Sequence, residues 1–138
     1  MNRRPLLLQT VLDAVDVREL AEFYRLLLGL RYRPGDEAPA DGSADDADWL
    51  VLTDEHGAGR LAFQKVAELP RATWPEPTGV PQQLHLDLTV DTRDELERQR
   101  ERAVALGATQ LLDRTEDPEE PLYVFADPAG HPFCIFVH

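Results

Sequence analysis

His85 and Asp87 are the residues of this sequence best placed to do chemistry. They alternate with Leu84, Leu86, Leu88 and Val90 in the run Gln83 to Val90, and side chains two apart on an extended strand share a face. An imidazole and a carboxylate paired in this way could hold a polar small molecule, pass a proton or ligate a cation. The plainer alternative is a histidine held by hydrogen bonds for structural reasons. Cys134, the one cysteine, stands between Phe133 and Ile135. Ionised, it would ligate a soft metal; neutral, it would serve as a small buried hydrophobe. A single cysteine excludes an intrachain disulfide. The remaining histidines read as turn (His131), loop (His56) and terminal (His138) residues. Ser-His-Asp order, a phosphate-cradling glycine loop and paired zinc-ligand spacing are all missing from the chain.

The strand carrying His85 leads into a helix predicted from Thr92, whose hydroxyl can cap the backbone N–H of Glu95, to Gly107. An earlier helix is predicted over 17–28. Asp16 is its cap, Val17, Leu20, Tyr24 and Leu27 share one face, and Gly29 supplies the left-handed stop. A strand with Leu8, Thr10, Leu12 and Ala14 on one side and Gln9, Val11 and Asp13 on the other precedes it. Gln9 and His85 each stand seven residues before their helix cap. Strand-like runs follow each helix in matching order: Arg31 to Arg33, Trp49 to Thr53 and Leu61 to Val66, then Thr109 to Leu112, Leu122 to Phe125 and Phe133 to Val137. The sequence is therefore an internal repeat. The expected fold class is α+β, with two strand-helix-strand-strand-strand modules over about 5–68 and 83–138. A stiff proline-rich connection spans about 69–82, and Trp74 anchors it. The acidic stretch Gly35 to Asp48 has no apolar period and reads as a mobile loop.

At 138 residues, one domain is expected. The excess of 26 acidic over 14 basic side chains would repel phosphate backbones and anionic lipid, which argues against nucleic-acid and membrane partners. Arginines in the segment 93–102 do not contradict this, because Glu95, Glu97 and Glu101 interleave with them as helical pairs. Leu6-Leu7-Leu8 is too short to cross a bilayer. A soluble protein of the reducing cytoplasm is the expectation.

The helix segment Phe23-Tyr24-Arg25-Leu26-Leu27-Leu28-Gly29-Leu30, the paired strand-helix repeat and the closing turn Asp127-Pro128-Ala129-Gly130-His131-Pro132-Phe133-Cys134 resemble the vicinal oxygen chelate superfamily. That group comprises glyoxalases, bleomycin-resistance proteins and extradiol dioxygenases. The stretch from Trp74-Pro75-Glu76-Pro77 to Gln82-Gln83-Leu84-His85-Leu86-Asp87-Leu88 is similar to a glyoxalase-like subgroup. The resemblance implies two βαβββ modules in a single domain, their mixed sheet curved into a cup that holds a metal or ligand, and a homodimer. It also implies metal-ligand places in the first and last strands of each module, which fall on Gln9, Gln64, His85 and Cys134. Family enzymes usually place a carboxylate among these, both to balance the ion's charge and to move protons; Gln64 and Cys134 stand where the carboxylates are expected. The expected function is thus binding of a small organic molecule in the cup, without a tightly bound metal. Gln9, Asp13, Trp49, Phe63, Gln64, His85, Asp87 and Cys134 are the expected lining. The alternative is a divalent-metal-dependent lyase or dioxygenase with His85 as principal ligand.

Overall fold

The computed structural model describes residues 3–138. Among these lie, in order, β1 (Thr10–Ala14), α1 (Val17–Leu28), β2 (Arg31–Tyr32), β3 (Trp49–Thr53), β4 (Gly59–Lys65), β5 (Leu86–Val90), α2 (Arg93–Leu106), β6 (Thr109–Arg114), β7 (Leu122–Ala126) and β8 (Pro132–Val137). The strands form two four-stranded sheets with the same order, β1-β4-β3-β2 and β5-β8-β7-β6. In each, the first strand runs parallel to the last and the remaining pairs are antiparallel. This is an α+β fold of two βαβββ modules. The chain divides into two compact units between Glu68 and Leu69, so the proline-rich segment belongs to the second.

In the first unit, Asp16 accepts the Glu19 N–H at 3.1 Å and Gly29 closes α1 in the left-handed region, its N–H donating to the Arg25 carbonyl. Caps of this kind contribute about 1 kcal/mol each. The apolar face of α1 buries Val17, Leu20, Ala21, Tyr24 and Leu27. Tyr24 stacks on Phe63 of β4, ring centroids 6.1 Å apart. Register puts Leu12 beside Phe63 and Phe63 beside Leu50, so the three fill one layer beneath the helix. Each such side chain contributes roughly 1.5–3 kcal/mol by leaving water.

The second unit repeats the plan with less apolar cover. Thr92 accepts the Glu95 N–H at 3.1 Å, but α2 buries only Leu96 and Ala103. Leu86, Leu88 and Val90 are half-buried and Leu84 is 39% exposed, so the clean alternation there overstates how deeply that strand packs. The apolar centre lies instead in β7 and β8, where Phe125 stacks on Phe133 at 5.0 Å.

Two expectations change at the loops. The alternating runs predicted longer first strands, but β1 begins at Thr10 and β5 at Leu86, leaving Gln9 and His85 just outside their strands. The acidic segment is tied down. Arg18 holds the Asp45 carboxylate at 2.6 Å and the Asp36 carbonyl at 2.7 Å, while the Asp36 carboxylate accepts the Val51 N–H at 2.9 Å.

Candidate functional site

Parallel pairing of β5 with β8 sets Asp87 against Cys134, and neighbouring strands lie about 4.8 Å apart. Their side chains therefore meet on the face opposite the one that Leu86, Leu88, Phe133 and Ile135 share. His85, two residues before Asp87, brings Nε2 to 3.3 Å from the Asp87 carboxylate. One ligand atom from each of His85, Asp87 and Cys134 lies within 4.8 Å of the other two. His85 and Asp87 are open to solvent, whereas Cys134 is only 7% exposed. Burial pushes the Cys134 thiol up from 9.0 to about 11, helped by the negative charges of Asp87 and Glu120. At neutral pH this cysteine carries its proton.

Sequence reasoning made Trp74 an anchor for the connection and missed its neighbour. Its indole lies flat on the His85 imidazole, centroids 5.2 Å apart and planes 7° from parallel. The loop that presents it is closed on itself. The Thr73 N–H donates to the Val80 carbonyl at 2.8 Å, the Thr73 hydroxyl to the Thr78 carbonyl at 2.7 Å, and the Glu76 N–H to the Thr73 carbonyl at 2.8 Å. Arg71 fastens it to the β7–β8 turn by donating to the carbonyls of Pro128 (3.2 Å) and Asp127 (3.4 Å). That turn is itself organised by Asp127, wholly buried, whose carboxylate accepts the N–H groups of Ala129 and His131, each at 3.0 Å. Proline flanks announce stiffness here, but no periodicity in the sequence encodes which ring the indole meets.

The first unit assembles its residues differently. Asp13 pairs with Gln64 and Gln64 with Trp49, so these three form a row across β1, β4 and β3 on one face. Gln9 is not part of that row. Its amide oxygen lies 2.6 Å from where a Cβ on Gly59 would be, and Gly59 is five residues from Gln64, roughly 16 Å along the strand. Phe63, also among the expected lining, is wholly buried on the face beneath α1 and against Tyr24, because it alternates with Gln64. Register also gives Cys134 a different counterpart, since Val11 and Ala62 pair where Asp87 and Cys134 do.

A cleft of about 600 Å³ opens at the N-terminal end of α1, lined by Asp16, Arg18, Glu19, Glu22, Asp45 and Lys65 among others. None of the expected site residues line it. Its most buried cation, Arg18, is already held by Asp45, and Glu22 by Arg25; a solvated cleft is the physical reading.

Comparison with known proteins places these observations. The sequence profile described as the glyoxalase-like domain matches residues 9–136. No curated protein sequence matches the chain. Among solved structures, similarity extends to a glyoxalase/bleomycin resistance protein/dioxygenase family enzyme from Burkholderia phytofirmans PsJN, at TM-score 0.66 and 16% identity over 94% of this chain and 96% of that one. The fosfomycin resistance protein FosX from Listeria monocytogenes is similar at TM-score 0.67 and 15% identity, over 98% and 94% of the two chains. The same protein solved with Mn(II) and sulfate ion gives TM-score 0.64 and 15% identity, over 100% and 94%. At such identities the likeness is one of fold.

Proposed function

The chain belongs to the glyoxalase-like domain family, and on that premise we propose that it binds a small organic molecule through His85, Asp87 and Cys134, without a resident metal. The observation that carries the reading is the gathering of those three polar groups within 4.8 Å of one another. The exposed Asp87 carboxylate accepts hydrogen bonds, the imidazole can accept or donate, and the protonated thiol is a weak donor. A ligand bearing N–H or O–H groups is the matching chemistry.

The donor set bears on the metal question directly. One sulfur, one nitrogen and one oxygen suit a borderline ion such as zinc better than a hard one. Binding would have to displace a thiol proton held up to about 11. It would also have to draw together atoms spread to 4.8 Å, since tetrahedral zinc bonds of about 2.0–2.3 Å leave ligand atoms about 3.5 Å apart. As placed, the three groups fit a metal poorly.

One second reading draws on the same clustering of His, Asp and Cys, a metal-dependent lyase or dioxygenase with His85 as principal ligand. There a bound ion would polarise a substrate oxygen. Two measurements separate the readings. Metal analysis of protein purified without chelators is expected to find substoichiometric divalent ion, and a full equivalent would overturn the proposal. Ligands found by NMR screening of a polar fragment library should bind the His85→Ala variant about tenfold or more weakly, as loss of a hydrogen bond to a charged or polar group implies. The melting temperature should scarcely change, because His85 lies on an open face. Hits that bind that variant unchanged would place the ligand elsewhere.

A further inference from the structure

We propose that Trp74 is a positioning residue for His85, and that the loop 71–80 is therefore a wall of the binding site. The inference rests on reading His85 as a ligand-contacting group. The loop's own closure supplies the first argument. Thr73 ties residues 78 and 80, Arg71 ties the segment to Asp127 and Pro128, and Gly130 packs against Arg71 so closely that a Cβ there would meet the Arg71 Cγ at 2.9 Å. Those contacts hold the loop down without any help from an indole. What the ring adds is the parallel stack on the imidazole, in the separation range where aromatic pairs are favourable beyond the area that they bury.

Position supplies the second argument. His85 precedes β5, so ladder hydrogen bonds do not begin until the next residue and the imidazole lacks the packing that orders a core side chain. With one face of the ring covered by Trp74 and Nε2 directed to Asp87, the imidazole keeps one orientation toward Cys134. Without the indole it can turn about its side-chain bonds, and the three-residue constellation would exist only part of the time. A binding site that must first be ordered loses affinity in proportion to the fraction misplaced.

The test uses the ligand-free protein. Diethyl pyrocarbonate modifies accessible imidazoles, and a ring that is stacked and directed at a carboxylate should react more slowly than one free to turn. The rate at His85, read by peptide mass spectrometry against the exposed His56 as internal standard, is compared in wild type, Trp74→Phe and Trp74→Leu. Expected is a rise of about threefold to tenfold in Trp74→Leu, the scale of an aromatic stack, with Trp74→Phe close to wild type. An unchanged ratio in Trp74→Leu overturns the proposal, as does a Trp74→Phe variant that behaves like the leucine. Should the leucine variant fail to fold, the wild type still decides: its His85 ring protons must be shifted upfield by the indole ring current, assigned by their loss in His85→Gln, and unshifted protons refute the stack. A raised ratio together with ligand affinities indifferent to His85→Ala would keep this role for Trp74 and remove the binding reading; the reverse pair of results would do the opposite.

Discussion

Cys134 shows how far a single residue's chemistry depends on partners that its sequence neighbours do not reveal. Phe133 and Ile135 mark it as buried, which it is, but Asp87 reaches it only through the register of β5 on β8. The face shared by His85 and Asp87 is legible because alternation is local, whereas the third member enters through long-range pairing. The raised thiol pKa has a definite sign for stability. The fold favours the neutral thiol, so the contribution is fully present below the ordinary 9.0 and is lost as pH rises through about 11. Tyr32 and Tyr123 act in the same sense over 10.0 to about 12, held up first by burial and next by hydrogen bonds to Glu22 and Glu97. Chemical denaturation should thus show stability falling above pH 9. Cys134→Ala should remove the decline between 9 and 10, lessen it between 10 and 11, where the tyrosines also titrate, and leave the later part in place. Iodoacetamide should alkylate Cys134 slowly at pH 7.5, because only the thiolate attacks. Fast alkylation of the native protein at that pH would mean the thiol is not held neutral.

Among elements, those set by short-range rules were legible to the residue. Asp16, Gly29, Thr92 and Gly107 delimit α1 and α2 where capping chemistry puts them. Elements defined by distant partners were less so. Phe63 is expected in the lining, whereas long-range packing sets it beneath α1 against Tyr24, and the acidic loop gives no hint that Arg18 will bridge it. The loop 71–80 is the clearest such case, and Gly130 is its remote support. With φ of +98° and the Arg71 Cγ 2.9 Å from where its Cβ would be, Gly130 leaves no room for a side chain. Gly130→Ala should cost about 1–3 kcal/mol, combining an unfavourable backbone region with displacement of Arg71. Urea denaturation measures the loss, and limited proteolysis should find new cleavage within 71–80. A variant as stable and as resistant as wild type would show that Arg71 anchors nothing.

For the whole molecule, the repeat was the most legible property, since equal offsets from strand to cap survive in both halves while loop lengths drift. Two sheets of identical strand order follow from it. That order carries a consequence in time rather than space. Thr10 finds its partner at Leu61 and Leu86 at Phe133, whereas β3 with β4 and β7 with β8 are sequence neighbours. The strand synthesised first in each unit must therefore wait, unpartnered, until the last strand of that unit has emerged. Closing the long interval is the costlier step, while the hairpins form cheaply beforehand. Pulse-labelled hydrogen exchange during refolding should protect the amides of β7 and β8 ahead of those of β5, and those of β3 and β4 ahead of β1. Protection appearing first in β1 or β5 would contradict this order. Each unit is completed by its oldest strand, so a nascent chain halted before β4 or β8 would leave that strand for chaperones to cover.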